Sequence, residues 1–172
     1  MPREVVANIR EYRTADYDAG RGLWVQLTEQ HRQIYNDPSI GGDDPGSGLD
    51  DYLSNPNRRI SWVAEIEGLV TGMTGLIVHG DEAEVEPIIV ARQLRSGGIG
   101  HALISRTISE AKNLGIRFLS AQPVVRNVTA VSFFINNGFN IAGHIDLFQD
   151  LQPKRGRTWK SWIKLHGRKL RY

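Results

Sequence analysis

The feature that most constrains this chain is a glycine-rich hexapeptide, Arg-Ser-Gly-Gly-Ile-Gly at residues 95–100, between an apolar β-like run (Val85 to Val90) and an amphipathic helical run (His101 to Leu114). A strand that turns through glycines straight into a helix presents the helix N-terminus at the strand's end. There the unpaired N–H groups and the positive end of the helix dipole favour an anion, and glycine lets the backbone approach it closely. Arg95 adds positive charge. The junction therefore reads as a phosphate cradle, and spacing narrows which kind. A Walker loop needs Gly-Lys-Ser/Thr at its end, but the nearest lysine is Lys112, far down the helix. A dinucleotide fingerprint counted from Gly98 and Gly100 would need glycine where Leu103 stands. What remains is Arg-x-x-Gly-x-Gly.

Around this junction the pattern reads as one α/β domain. Val5 to Tyr12 suits a first strand, and Thr14 can cap a helix to about Tyr35, with Leu23, Trp24, Leu27, His31 and Ile34 at helical spacing. Asn36 to Gly48 is turn-rich, and Leu49 to Leu53 suits a short helix. Ile60 to Ile66 and Leu69 to Val78, joined at Glu67-Gly68, form an antiparallel pair leading to a central strand, Ala83 to Ala91. A helix from Ile99 to Asn113 should end at Gly115. A strand (Phe118 to Val124), a helix (Val128 to Asn137), a strand (Phe139 to Phe148) and a last strand (Thr158 to Leu165) follow.

Two segments together carry a family resemblance. AEVEPIIVARQLRSGGIGHAL resembles the central strand, pyrophosphate loop and cofactor helix of the GCN5-related N-acetyltransferase (GNAT) family, and NVTAVSFFINNGFNIAGH resembles its second signature, a helix ending in Gly-Phe. The match is clear over about residues 60–148, and the rest fits by element pattern alone. The resemblance implies an acyl-CoA N-acyltransferase fold: a mixed central sheet of about seven strands with about four flanking helices, in a single domain over residues 1–172. It also implies acetyl-CoA as co-substrate and transfer of its acetyl group to an amine by direct attack in a ternary complex. The main chain of Ile88, Ile89 and Val90 would hold the pantetheine arm, and the Val90 N–H would polarise the thioester carbonyl. Arg95, Ser96, Gly97, Gly98, Ile99, Gly100 and His101 would hold the pyrophosphate. Asn127 would reach the pantetheine arm, and as the residue opening a helix it is equally suited to an N-cap. Phe134 stands where many relatives carry a tyrosine that protonates the leaving thiolate.

The reaction needs a proton acceptor, because an amine with a pKa near the lysine reference of about 10.4 is mostly protonated at neutral pH. Glu84, Glu86 and Ile88 alternate along one strand, which puts both carboxylates on one face with Ile88. By the resemblance Glu84 matches the general base of histone-type relatives, while Glu86 lies nearer the thioester. Solvated edge charges are the plain alternative for both. A thiol has a reference pKa of about 8.5, so the thiolate can leave without the missing tyrosine. His144 offers a further neutral-range base.

Composition agrees. With 172 residues and 40% hydrophobic content, the chain can bury one core. Having no cysteine, it can form neither a disulfide nor a thiolate metal site, and no metal is expected. No apolar stretch is long enough for a membrane span and the N-terminus lacks a signal-peptide run, which points to a cytoplasmic protein with no membrane partner. The net charge of +2 hides an asymmetry: residues 149–172 carry eight Lys or Arg against Asp150, so the body is acidic and its end, including 166–172, basic. Nucleic-acid binding through that end is the lesser reading, and a final strand with a short charged end the better one. A non-catalytic acyl-CoA sensor is the alternative that Phe134 favours. For the acceptor, a small-molecule or protein amine fits, from polyamine or aminoglycoside to a lysine side chain or protein N-terminus. Asp37, Asp43, Asp44, Asp50 and Asp51, beside the expected mouth, would attract such a cation, although solvation of a flexible loop explains those acids equally well.

Overall fold

The computed structural model describes residues 7–151, 159 and 162–172. Five strands form one sheet in the order β1 (Asn8–Glu11), β2 (Arg58–Ile66), β3 (Leu69–His79), β4 (Glu82–Val90) and β5 (Phe118–Ser120). The first four are antiparallel neighbours, and β5 runs parallel to β4. Four helices flank the sheet. Leu23 of α1 (Tyr17–Tyr35) and Leu49 and Tyr52 of α2 (Gly48–Ser54) pack on Val63, Met73, Ile77 and Ile89 on one face. Leu103, Ile104 and Ala111 of α3 (Ile99–Asn113) and Phe134 of α4 (Val128–Asn136) belong to the clusters on the other, with Ala64, Leu76 and Val85.

Local chemistry accounts for most boundaries. The β2–β3 hairpin turns on Glu67 and Gly68, both at positive φ, as a two-residue turn between right-twisted strands requires. Helix α3 closes where Gly115, at φ 71°, lets its own N–H reach the Lys112 carbonyl and the Ile116 N–H reach that of Ala111, the Schellman pattern. The start of α1 differs from the sequence expectation. Thr14 opens a short 3₁₀ turn, and the anchor is Asp16, buried and gripped by both Nη atoms of Arg10 at 2.8 Å while it accepts the Arg13 N–H at 2.7 Å. Arg10 also donates from Nε to Glu65, so the fork ties β1, β2 and the start of α1 together.

Three expectations are corrected beyond the fourth strand. The strand foreseen over Phe118 to Val124 stops at Ser120. Phe139 to Phe148 forms no strand, and Ile141, Ile145, Leu147 and Phe148 are exposed. A strand exists only where a neighbour takes its N–H and C=O groups, and β5 offers an edge of three residues, too short for a ladder of ten. The end of the chain, read as one strand and a charged end, is a hairpin of its own: β6 (Trp162–Leu165) pairs with β7 (Arg168–Arg171) in a separate two-stranded sheet. Thr158, where the last strand was placed, and Val5 and Val6 of the first lie outside the described residues.

Candidate active site

The site begins with a gap in the sheet. Along β3, β4 is paired from Glu82 to Val90, but along β5 it is paired only from Glu82 to Ser120's partner Glu84. From Val85 onward its outer edge faces no strand among the described residues, so the backbone polar groups there lack the partners that a sheet would supply. The ladder with β5 ends there, and the rest of β4 runs on towards the glycine loop. This slot could accept an extended amide-bearing chain as a surrogate strand.

At the slot's end the loop turns through two left-handed residues, only one of them a glycine. Ser96 is at φ 65° and Gly98 at φ 84°, both left-handed, and Gly98 is the N-cap of α3. The first intrahelical bond is from the Ala102 N–H to the Gly98 carbonyl. The N–H groups of Ile99, Gly100 and His101 thus precede the ladder, and helix geometry aims them forward. Gly97 stays in ordinary φ space. Gly100 packs under α4: a Cβ there would stand 3.2 Å from Cε2 of Phe133, a contact the ring would have to relieve by shifting a few tenths of an ångström. His101 reaches the same helix, with Nδ1 2.7 Å from Oδ1 of Asn137. Arg95 folds back, Nε donating to the Val90 carbonyl at 3.0 Å, so that carbonyl is already engaged. Burial, then the charge of nearby Arg92, lowers the Arg95 pKa from its ordinary value.

Ile88 and Val90 do not share a face with Ile89, as expected of a strand, but the carboxylates require a correction. Opposite β3, Thr74 pairs with Ile88 and Leu76 with Val85, so β4 carries one extra residue between them. The bulge inverts the alternation. Val85 and Ile88 both face α3, whereas Glu84, opposite Ile77, faces α1 and α2. Glu84 and Glu86 therefore lie across the sheet from Ile88, not beside it. Burial, and then the negative charge of Glu86, raises the Glu84 pKa above its ordinary value, with His79 opposing. Glu86 is exposed.

Asn127 caps α4, its Oδ1 accepting the Ala130 N–H at 3.1 Å. Phe134 is buried in an aromatic cluster with Phe133 and Phe139, each edge-on at 5.3 Å, and against Val85 and Ile104. It stands in the core behind the start of the slot. His144 is exposed in the irregular segment after α4. The acidic loop is partly spoken for: Arg21 binds Asp44 at 2.7 Å and the Tyr17 hydroxyl donates to Asp50. These contacts reduce the charge left for a substrate.

Sequence patterns missed Tyr52. Its ring is in the core and its hydroxyl, 2.6 Å from Ser61 Oγ, lies over Gly75, where any Cβ would overlap it. Burial pushes its pKa up to about 12, with the negative charge of Glu86 adding to the rise. Also unforeseen is Arg126, next to Asn127, whose guanidinium lies over the Tyr35 ring at 4.7 Å and near that of Trp159 at 5.8 Å. Neither residue belongs to a local motif, so only the assembled fold could reveal them. Among the described residues no three His, Asp or Glu gather as a metal site would, and no helix is long and apolar enough to cross a membrane.

The profile of the acetyltransferase (GNAT) family matches residues 24–139. No curated protein sequence matches the chain. Solved structures similar to it include a transcriptional regulator from Bacillus halodurans C-125 (18% identity, TM-score 0.63, covering 84% of this chain and 99% of that one). Aminoglycoside N-acetyltransferase AAC(6')-Iy, solved with a CoA bisubstrate analogue, is similar at 17% identity and TM-score 0.61, covering 84% and 97%. The ribosomal-protein-S18-alanine N-acetyltransferase of Escherichia coli follows at 17% identity and TM-score 0.59, covering 77% and 76%. At such identities the likeness is one of fold.

Proposed function

The chain belongs to the acetyltransferase (GNAT) family, and from that premise we propose that it transfers acetyl from acetyl-CoA to an amine by direct attack in a ternary complex. The observation that carries this reading is the slot: an unpaired β4 edge past Glu84 that ends at the first N–H groups of α3. Pantetheine is an extended chain with two amides, and pyrophosphate is an anion. A strand edge followed by a helix N-terminus suits them in that order. In this account the main chain of Ile88, Ile89 and Val90 binds the arm. The N–H groups of residues 96–101 bind the pyrophosphate, and Asn127 both caps α4 and borders the arm.

Glu84 is the proposed base. A carboxylate whose pKa is raised by burial and by Glu86 lies closer to working pH and accepts a proton more readily from an ammonium or through a water. Its place on the α1/α2 face puts the acceptor on the side of the sheet away from α3. The proton leaves the amine as nitrogen attacks the thioester carbon, and collapse of the tetrahedral adduct releases the CoA thiolate, which needs no acid from Phe134. AAC(6')-Iy and the S18-alanine enzyme act, by their names, on an aminoglycoside and on an alanine of ribosomal protein S18 respectively. An amine acceptor is accordingly the class proposed here. The non-catalytic alternative rests on Phe134 alone, and turnover separates the two.

The test is thermal unfolding with acetyl-CoA, followed by thiol release over a panel of amines. Ligand at about 100 times Kd adds about 2.7 kcal/mol, or roughly 8 °C in Tm for a chain of this size. Gly98→Val should abolish the rise, because a β-branched residue resists φ 84° although open space surrounds it. An equal rise in both proteins would refute the loop assignment. A rise without thiol release from any amine would favour the sensor.

A further inference from the structure

The end of the chain carries a surface that acetyl transfer does not use. β6 and β7 are joined by His166 and Gly167, at φ 44° and 75°, the left-handed two-residue turn that fixes a hairpin's register. In that register Trp162 lies opposite Arg171 and Lys164 opposite Lys169, so these four side chains share one face of the ribbon, while Ile163, Leu165 and Leu170 share the other. All four on the first face are exposed, and Leu165 and Leu170 are half-buried. Sequence order scatters these cations. Strand pairing gathers three of them around one indole.

Nothing in the fold neutralises this face. Lys164, Lys169 and Arg171 form no ion pair among the described residues. Lys164 and Lys169 stand directly opposite each other, which destabilises a sheet, and a lone two-stranded hairpin has little stability to spare. An anion lying between them relieves the repulsion. Trp162 is 56% exposed and stacks on no ring or cation among the described residues, whereas Trp159 donates from Nε1 to Asp150 at 3.2 Å and lies near Arg126. Lysines on open strands also guard against edge-to-edge aggregation, but a bare tryptophan among them works the other way.

We propose that this face of the hairpin binds single-stranded nucleic acid, with Lys164, Lys169 and Arg171 on phosphates and a base stacked on Trp162. Cations alone would suit any polyanion. An uncovered indole in the same row adds a platform for a flat ring, and the two together are what a single strand requires. A membrane surface fits less well: Ile163, Leu165 and Leu170 lie on the face away from the cations, so the ribbon cannot bury its apolar side chains and set its charges on headgroups at once. The inference is independent of the acetyl-CoA reading above.

Fluorescence anisotropy with short labelled oligo(dT) and oligo(U), titrated with salt, tests it. The wild type should bind at low salt and weaken steeply as salt rises. Lys164→Gln/Lys169→Gln should flatten the slope of log K against log salt by about 1.4, since each phosphate contact with a single strand contributes about 0.7. Trp162→Ala should weaken binding by about tenfold or more with the slope kept, and Trp162→Phe should restore most of the loss. Arg59→Gln, at an exposed cation of β2, should change neither. Because all these side chains are exposed, every variant should keep the wild-type Tm. No binding of either strand at low salt, or an unchanged slope in the double variant, overturns the proposal. Trp162→Ala binding as tightly as the wild type, with polyglutamate bound equally well, makes the face a general polyanion surface and overturns it also. Binding to phosphatidylserine vesicles and to neither oligonucleotide assigns the hairpin to a membrane and has the same effect.

Discussion

Replacing Phe134 by tyrosine adds one hydroxyl to a ring that is 7% exposed and surrounded by Val85, Ile104, Phe133 and Phe139. None of those side chains can accept a hydrogen bond. A buried hydroxyl without a partner costs about 1–3 kcal/mol. With an unfolding entropy of about 2.1 cal/mol/K per residue over this chain, that corresponds to a fall of about 3–8 °C in Tm. The expected outcome of Phe134→Tyr is thus a fall in Tm of that size by calorimetry, in the absence of ligand, with no gain in thiol release. The reasoning depends on the ring belonging to the core behind the slot. Val85, which it touches, is the first β4 residue beyond the stretch paired with β5, so a small shift of α4 would bring the para position to the unpaired edge. An unchanged Tm together with a turnover more than about tenfold higher would show that the ring tip sits beside the thioester, and would refute the core assignment.

Two further outcomes follow from charges. Glu84→Gln should lower kcat about 10²-fold while raising Tm at neutral pH. The folded-state pKa of Glu84 is raised, so its ionised form opposes folding; that effect is absent below the ordinary carboxyl value and grows as pH rises through the folded value. A variant less stable than wild type at pH 7 would contradict this. Asp16→Asn should lose about 2–4 kcal/mol by urea denaturation, since a buried carboxylate held by a two-pronged arginine is replaced by a neutral amide. Arg10 keeps the Asp16 pKa below its usual value, so the wild-type advantage should be full above the ordinary carboxyl range and fade as pH falls through the lowered value. A loss under about 0.5 kcal/mol at pH 7 would remove the fork from the account of stability.

The sequence by itself determined the parts whose physics is local. The loop at residues 95–100, the two-residue turn at Glu67-Gly68, the stop at Gly115 and the cap at Asn127 each depend on a few adjacent residues and on which φ values glycine or a short polar side chain permits. The order of elements up to β4 and α3 was legible for the same reason, and so was the family. What tertiary structure decided depends on neighbours distant in the chain. A one-residue bulge against β3 moved Glu84 and Glu86 to the opposite face from Ile88, because alternation holds only while the register does. The short β5 left Phe139 to Phe148 without a ladder, although its composition suits a strand. Gly100, which looks like one more loop glycine, sits where a Cβ would press on Phe133 of a helix some thirty residues on. Tyr52 met Ser61 and Gly75, and Arg92 met Gln26 across 66 residues, only when the helices came down on the sheet. Backbone conformation is set by the nearest side chains, but burial, electrostatic environment and cavities belong to surfaces that chain folding brings together.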